Sequence, residues 1–352
     1  MDKASGHVVV AGYNPLAEAR EEVAAARMPG QYLWGTDDLG RAGYDVEVAS
    51  WGRHSRAKEL STRMRFGLGD LHQERSTLAL RRPGSVLYSF DAGSLHGLAF
   101  ARAGRLLRNP LLTLCHPEVR QNRVDRVAYR AISVAMCLSR RTQDELCRRH
   151  GRAPELTPFA PWGPDLSSPL YVSRPEDGVV LSTGKSNRDN VTLARALAGT
   201  DLHGRIYGAQ PSDVPPATNV EFVDPRAAGR ASFPHVVPLQ DAQSCSVMAI
   251  SVRDPERLTG LSELNHALAL GKPIVMTRSP YLDLDIEAIG CGVLVEANDV
   301  QGWRDALVGL MSDPRSRTTM GQRGRAYAEE YWNAQLFGAS VRAAVQLAVS
   351  TS

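Results

Sequence analysis

The apolar positions of the first half fall into short runs separated by amphipathic stretches. HVVVAG at 7–12, SVLYSF at 85–90 and PLLTLCH at 110–116 are short apolar runs that predict buried strands. AEAREEVAAAR at 17–27 and LHGLAFARAGRLLR at 95–108 predict helices. Strands that alternate with helices are typical of parallel βαβ units in an open α/β sheet.

The same alternation restarts in the second half. GVVLSTG at 178–184, SVMAISV at 246–252 and PIVMT at 273–277 predict strands, and NVTLARALA at 190–198 predicts a helix. In DVQGWRDALVGLMSDP, Asp299 is a candidate N-cap, and the apolar residues that follow have the helical spacing i, i+3, i+4, i+7. The chain therefore contains two consecutive α/β halves.

A stretch dense in proline, glycine and serine separates the two halves. No periodicity survives at 153–178, so we place the linker there. We predict an N-terminal Rossmann-like domain at 1–165, a linker at 166–178 and a second Rossmann-like domain at 179–332. The closing helix, 333–352, is expected to pack back on the first domain. Two parallel sheets facing each other predict a ligand site in the cleft between them.

Composition and charge narrow the class of protein. The chain has 352 residues, of which 43% are hydrophobic and 22% charged, as in globular proteins. A net charge of +3 is too small for a dedicated nucleic-acid binder. The five cysteines lack CxxC spacing, which argues against a disulfide framework or a structural zinc site. We see no signal peptide and no apolar run long enough to span a membrane, so we expect a cytoplasmic protein.

Two arginine-rich runs leave peripheral membrane contact open. They lie at 53–65 and 139–152. Basic faces of this kind can bind anionic membranes. Neither run is accompanied by an apolar aromatic stripe, so a solvated face is the favoured interpretation.

The segment VVLSTGKSNRDN carries the first candidate chemistry. A buried strand ends at Gly184, and Lys185 and Arg188 follow just before a helix. Neither the Walker spacing nor GxGxxG is present. A helix N-terminus with two nearby cations nevertheless favours an anion, and the guanidinium group fits a phosphate. Asp189 is suited to cap the helix or to orient Arg188. The alternative is a solvated charged turn.

The segment GLSELNHALALGKPIV, 260–275, contains the second group of candidate binding residues. Ser262 is the predicted N-cap of a short helix that Gly271 ends, and Pro273 begins the next strand. Glu263 and His266 are three residues apart, so we expect them on one helix face. The helix start after Gly260 is a second place for an anion or for ribose hydroxyls.

These motifs resemble the nucleotide-sugar half of glycosyltransferases with the GT-B fold. The similarity is greatest to the large retaining family 4. It is carried by GLSELNHALALGKPIVMT, by the closing stretch from IEAIGCGVLVEAND to AEEYW, and by VVLSTGKSNRD. In the first half, LWGTDDLGRAGYDVEVAS and TLCHPEV resemble the family less strongly. The resemblance covers most of the chain and implies two Rossmann-like domains facing each other across a cleft.

The resemblance also implies roles for individual residues. Lys185 and Arg188 would bind the donor diphosphate and stabilise its departure, and His116 would sit at the reaction centre on the acceptor side. Asp91 is a candidate for positioning acceptor hydroxyls because it follows the predicted strand SVLYSF, and not because of the resemblance. The remaining donor-binding positions implied are Gly12, Gly184, Gly260, Leu261, Ser262, Glu263 and His266. No metal ligand and no cofactor are implied, because the nucleotide-diphosphate sugar is itself a co-substrate.

One departure from the family pattern concerns the ribose. The family usually has glutamate where this chain has His266, and its earlier glutamate is replaced near Leu258 and Thr259. A neutral imidazole has one donor and one acceptor, so it cannot accept two hydrogen bonds as a carboxylate does. We hypothesise that Glu263 takes part of the ribose role. The alternative is that His266 only packs beside the nucleotide.

The activity implied is sugar transfer from a nucleotide-diphosphate sugar to an acceptor hydroxyl, with retention and without a metal. The acceptor is a small molecule, a glycan or a lipid-linked molecule, and the sequence leaves the oligomeric state open. Two alternatives remain: a nucleotide-sugar epimerase on the same fold, and a catalytically weak subunit that binds a nucleotide.

Overall fold

The computed structural model describes residues 6–51, 70–115, 123–229 and 234–351. The chain divides into two compact units. Residues 1–22, 31–162 and 334–352 form the first unit, and residues 23–30 and 163–333 form the second.

The first unit contains a parallel sheet. Its described residues form five strands in the order β2-β1-β3-β4-β5, and every adjacent pair is parallel. The strands are β1 (His7–Ala11), β2 (Asp45–Val48), β3 (Val86–Ser89), β4 (Leu111–Cys115) and β5 (Val134–Cys137). The helices along this part of the chain are α1 (Leu16–Ala24), α2 (Thr36–Arg41), α3 (Leu71–Leu80), α4 (His96–Ala103), α5 (Arg123–Ala131) and α6 (Arg140–His150).

Strands of this sheet are buried on both faces. Val8, Val9 and Val10 are fully buried, and so are Leu87 and Tyr88 in β3. A parallel sheet with helices on both faces requires apolar side chains in both directions, which explains continuous apolar runs in place of alternation. The apolar runs predicted as strands in this half are confirmed as strands.

The second unit contains a larger parallel sheet. Its described residues form six strands in the order β11-β10-β9-β6-β7-β8. The strands are β6 (Val179–Ser182), β7 (His203–Tyr207), β8 (Val220–Val223), β9 (Val247–Ile250), β10 (Ile274–Thr277) and β11 (Gly292–Val295). The helices are α7 (Asn190–Leu197), α8 (Val236–Ser244), α9 (Leu261–Leu270), α10 (Ile286–Ile289), α11 (Val300–Ser312) and α12 (Pro314–Tyr331).

The ends of two helices test the predicted capping residues. Asp299 accepts a hydrogen bond from the backbone N–H of Gly302 at 2.8 Å, so its N-cap role is confirmed. Gly271 ends α9 with φ 63°, as predicted. The N-cap predicted at Ser262 is wrong. Gly260 occupies that position with φ 90°, a left-handed conformation that glycine adopts without strain.

The boundary between the units differs from the predicted linker. It falls after Trp162, before the predicted 166–178 segment. The segment after it belongs to the second unit because Gln243 at the end of α8 holds it. The side chain of Gln243 donates to the carbonyl of Leu170 at 2.9 Å, and its own carbonyl accepts from the N–H of Arg174 at 2.8 Å.

The last helix, α13 (Ala334–Ser350), belongs to the first unit. It packs against α2 and against β3, β4 and β5. Phe337 and Val341 are buried in this packing, and the side chain of Asp38 in α2 lies directly against Gly338. Among the helices of the described residues, none has the length and apolar character needed to cross a membrane.

Candidate functional site

The strand order of the second sheet reverses beside β6. The chain runs from β6 through β7 to β8 at one edge, and then returns to β9 on the other side of β6. Ligands of open α/β sheets bind at the carboxyl ends of the strands where the order reverses. Two segments leave the sheet at this point, 183–189 after β6 and 251–260 after β9.

These two segments are fastened to each other. The amide of Asn187 donates to the carbonyl of Asp254 at 2.9 Å, and the N–H of Asp254 donates back to Asn187 at 3.1 Å. The N–H of Asp189 donates to the carbonyl of Ser251 at 3.2 Å. Asp189 also accepts from the N–H of Thr192 at 3.0 Å, which confirms its N-cap role for α7. The loop that carries Lys185 and Arg188 is therefore held in one conformation.

Arg188 forms a buried ion pair with Glu263 in the first turn of α9. The side chains of Arg188 and Glu263 are 8% and 3% exposed, and Arg188 Nη2 donates to Glu263 Oε2. The other carboxylate oxygen, Oε1, accepts from the N–H of Thr183 at 3.2 Å, and Arg188 Nη1 donates to the carbonyl of Ser186 at 2.6 Å. A Cβ at Gly184 would overlap the guanidinium group of Arg188 in the position that this ion pair gives it. Both oxygens of Glu263 are thus engaged in positioning this loop.

A cavity of about 460 Å³, here called the carboxyl-edge cavity, opens beside this loop. Its lining includes the cations Lys185, Arg188, Arg226 and Arg253 and one carboxylate, that of Asp224. Asp224 is engaged locally, since it accepts from the N–H of Arg226 at 3.0 Å and from its Nε at 3.2 Å. Arg188 is already paired with Glu263, and Arg226 with Asp224. Lys185 and Arg253 therefore leave an excess of two positive charges in the lining, which favours an anionic ligand.

Lys185, like Arg253, is a cation of this lining without a carboxylate partner among the described residues. Within the described part of the chain, its ammonium group has no hydrogen bond or ion pair, and partial desolvation lowers its pKa. A cation without a nearby carboxylate gains from an anion that replaces the lost water. Lys185 is therefore placed to bind an anion directly, whereas Arg188 is already oriented by Glu263.

The start of α9 lies beside the same loop. Glu263 is in its first turn and contacts Thr183 and Arg188. The N-cap residue, Gly260, has no side chain to cap the helix, and Leu264 makes the first backbone bond, to the carbonyl of Gly260 at 3.0 Å. The first N–H groups of a helix have no intrahelical partner, and the helix dipole favours negative charge there. The predicted segment from Gly260 to Ser262 thus adjoins the cations.

His266 makes a different contact. Its Nδ1 lies 3.0 Å from the hydroxyl of Tyr171, and the residue is 8% exposed. Burial, with a smaller contribution from His235, lowers the pKa of His266 to about 3, so the imidazole is neutral at pH 7. The structure therefore places Glu263 against the 183–188 loop and His266 against Tyr171. The ribose role proposed for Glu263 stays a prediction.

Gly12 in the first unit is held within its own unit. Its N–H donates to the side-chain oxygen of Gln73 at 3.2 Å, and the amide of Gln73 donates to the carbonyl of Gly12 at 2.6 Å. A Cβ at this position would overlap the ring of Phe90. Close packing explains the glycine, and its backbone groups are already paired. The implied donor contact of Gly12 stays a prediction.

The acceptor-side candidates are Asp91 and His116. Asp91 follows β3 and accepts from the N–H of Gly93 at 2.8 Å and from the hydroxyl of Ser94, so its carboxylate closes the turn before α4. His116 lies outside the described residues, as does the basic run at 53–65. The other basic run, 139–152, forms α6 and the residues around it. Its membrane contact stays a prediction.

Comparisons with known proteins identify the fold. No protein-family model matches the chain, and no curated protein matches it in sequence. A sucrose-phosphate synthase from Thermosynechococcus elongatus superimposes with a TM-score of 0.71 at 15% identity, over 99% of this chain and 100% of that one. The trehalose-phosphate synthase (UDP-forming) from Burkholderia vietnamiensis gives 0.70 at 14%, over 97% and 98%. HepE from Anabaena, in complex with UDP and glucose, gives 0.67 at 15%, over 97% and 99%.

The chain has the GT-B fold. Identities this low show the fold alone, so the expectation of two Rossmann-like domains is confirmed. Membership of family 4 stays a prediction.

Several cavity residues of this GT-B fold were missed in the sequence. Tyr207 lies at the end of β7, Asp224 and Arg226 follow β8, and Arg253 follows β9. These residues could have been proposed from the rule that ligands bind at the carboxyl ends of parallel strands, but that rule applies only where a strand has been predicted. β8 was not predicted because VEFV is a short edge strand whose residues are only partly buried. Arg253 follows a strand that was predicted and could have been proposed.

Proposed function

We propose that the chain is a hexosyltransferase that uses a nucleotide-diphosphate sugar and transfers its sugar to an acceptor hydroxyl. The observation that carries this proposal is the excess of positive charge in the carboxyl-edge cavity, at the strand-order reversal beside β6. The fold neighbours support it. HepE has been crystallised with UDP and glucose, and the neighbours include UDP-forming trehalose-phosphate synthase and sucrose-phosphate synthase.

The leaving group explains why cations are needed. When the bond between the sugar and the diphosphate breaks, negative charge accumulates on the departing diphosphate. Groups aimed at that charge bind the transition state more tightly than the ground state. Lys185 supplies an uncompensated ammonium group, and Glu263 holds the guanidinium group of Arg188 in the lining. The first N–H groups of α9 add the partial positive charge that the helix dipole places at the N-terminus.

We propose that these groups make the reaction independent of a metal and that the sugar is transferred with retention. The first part rests on Lys185 and Arg253, the two lining cations without a carboxylate partner among the described residues, which supply the charge that a divalent cation would otherwise provide. The second part rests on the resemblance to the retaining family 4. In that mechanism the acceptor attacks from the face that the diphosphate leaves. We assign Asp91 and His116 to the acceptor side.

The test is a panel of nucleotide sugars incubated with the protein, EDTA and a mixture of sugar and glycan acceptors. Release of free nucleotide and the anomeric configuration of the glycosylated product are the readouts. Replacing Lys185 with Ala removes the ammonium group without breaking an ion pair, so we expect kcat to fall about 10²-fold with folding intact. The matched control is Arg315→Ala, an exposed arginine in α12 that does not line the cavity. Full activity of Lys185→Ala would contradict the donor assignment, and loss of activity in EDTA would contradict metal independence.

A second candidate function is a nucleotide-binding subunit with little turnover. It is favoured by the contacts of α9, because both oxygens of Glu263 are engaged and His266 is bonded to Tyr171. The same panel separates the two. Nucleotide binding without release of nucleotide supports the subunit, interconversion of the sugar supports an epimerase, and release of nucleotide with a glycosylated product supports the transferase.

A further inference from the structure

A second cavity lies at the opposite edge of the same sheet. It has a volume of about 580 Å³ and is here called the amino-edge cavity. Its lining comes from the segment before β6, the end of α9 with the turn into β10, and α12. The ten residues of α9 separate it from the carboxyl-edge cavity by about 15 Å of helix. A volume of this size is ordinary for a small-molecule site.

Lys272 lines this cavity although it is only 4% exposed. Within the described residues its ammonium group has no hydrogen bond and no ion pair with a carboxylate. Lys272 acts electrostatically on Cys245, but burial raises the pKa of that thiol to about 12, so it is neutral at pH 7 and provides no counter-charge. An ammonium group that lines a cavity without a counter-charge attracts an anion.

The carbonyl groups at the C-terminal end of α9 accept hydrogen bonds from donors other than the ammonium group of Lys272. The backbone N–H of Lys272 donates to the carbonyl of Ala267 at 2.9 Å, and that of Gly271 donates to Leu268 at 3.2 Å. The carbonyl of Ala269 accepts from Arg325 at 2.6 Å. The carbonyls of Ala267, Leu268 and Ala269 therefore have donors other than the ammonium group of Lys272.

The carboxylates of the lining are already engaged. Glu176 accepts from Arg317 at 2.7 and 3.0 Å, and Glu329 accepts from Arg325 at 2.8 Å. The fourth cation of the lining, Arg174, is exposed, and its guanidinium group has no partner among the described residues. Four cations against two carboxylates leave an excess of two positive charges, carried by Lys272 and Arg174.

We propose that the amino-edge cavity binds a phosphorylated small molecule, with Lys272 and Arg174 on its phosphate. An ammonium group and a guanidinium fork are the two side-chain groups that proteins use for phosphate. The lining also includes the polar residues Ser173, Thr318 and Gln322, which are available for hydroxyl groups. A sugar monophosphate matches this combination of charge, hydroxyl partners and volume. This site is independent of the proposed transferase activity.

The test measures binding to the full chain by calorimetry, with saturating UDP present to occupy the carboxyl-edge cavity. The probes are glucose 6-phosphate, inorganic phosphate and uncharged glucose. We expect glucose 6-phosphate to bind more tightly than inorganic phosphate, and glucose not to bind. Replacement of Lys272 with Met keeps the length of the side chain and should weaken glucose 6-phosphate binding at least about tenfold. Arg315→Ala, a change at an exposed arginine that lines neither cavity, is the matched control and should leave this binding unchanged.

Thermal unfolding distinguishes a binding role from a structural one. Lys272→Met removes a charge that has no ion-pair partner among the described residues, so its melting temperature should equal or exceed that of the parent chain. If Lys272→Met does not fold, the binding measurement is made on Arg174→Ala, which changes an exposed residue and should weaken glucose 6-phosphate binding by itself. The proposal is overturned if no phosphorylated probe binds or if Arg315→Ala weakens binding as much as the cavity variants do. It is also overturned if Lys272→Met, or Arg174→Ala where Lys272→Met does not fold, binds like the parent.

Discussion

Replacement of Glu263 with Gln tests the pair that organises the candidate site. Glutamine keeps the volume of the side chain and an oxygen that can accept from Thr183, but it presents no charge to Arg188. The parent carboxylate is 3% exposed and Arg188 is 8% exposed, so the variant leaves a nearly buried guanidinium group without its counter-charge. The change therefore isolates the electrostatic part of the contact.

The expected loss of stability depends on how deeply the ion pair is buried and on how far water can solvate Arg188 once the pair is broken. Breaking a buried ion pair by removing one partner costs about 3–5 kcal/mol, whereas an exposed pair contributes about 0–1 kcal/mol. Arg188 also lines the carboxyl-edge cavity, where water can reach it once the pair is broken. We therefore expect a loss of about 2–3 kcal/mol in the free energy of unfolding of the second unit. For a unit of this size that corresponds to a melting temperature lower by roughly 5–10 °C.

The assay is urea denaturation of the parent, Glu263→Gln, Arg188→Met and the double variant. The cycle measures the coupling between the two side chains directly. Glu329→Gln is the matched control, because it breaks the exposed pair with Arg325 in the same unit, whose side chains are 57% and 32% exposed. The reasoning is refuted if Glu263→Gln costs no more than the control, or if the coupling energy is below about 0.5 kcal/mol.

Three further changes test other parts of the fold. Burial first of all raises the pKa of Glu74 from 4.5 to about 7, so its contribution to stability is complete below pH 4.5 and is lost as the pH rises through 7. Relative to the parent, Glu74→Gln should therefore gain up to about 3 kcal/mol between pH 4.5 and pH 8 in urea titrations, and a constant difference would contradict the assignment. Gly12→Ala should destabilise the first unit by about 1–3 kcal/mol because the new Cβ meets Phe90, and a melting temperature within 1 °C of the parent, by calorimetry, would count against this packing. Asp189→Ala should cost about 1 kcal/mol through the lost cap on α7, whereas Asp189→Asn should keep most of the stability.

Local patterns in the sequence predicted a large part of the second unit. The apolar runs at β6, β9 and β10, the cap at Asp299 and the glycine that ends α9 each depend on neighbouring residues alone. The turn that carries Lys185 and Arg188 was predicted for the same reason, since it directly follows a buried strand. Strands β8 and β11 were not predicted, because both are short edge strands with a mixed burial pattern.

Tertiary structure decided the partners of the candidate residues. Glu263 and Arg188 are 75 positions apart, and His266 and Tyr171 are 95 apart, so no local spacing could pair them. The strand order brings β9 beside β6, which places α9 next to the Lys185 loop. The sequence by itself determined which side chains carry charge at a strand end. Which of those charges is compensated depends on neighbours that only the folded sheet brings into contact.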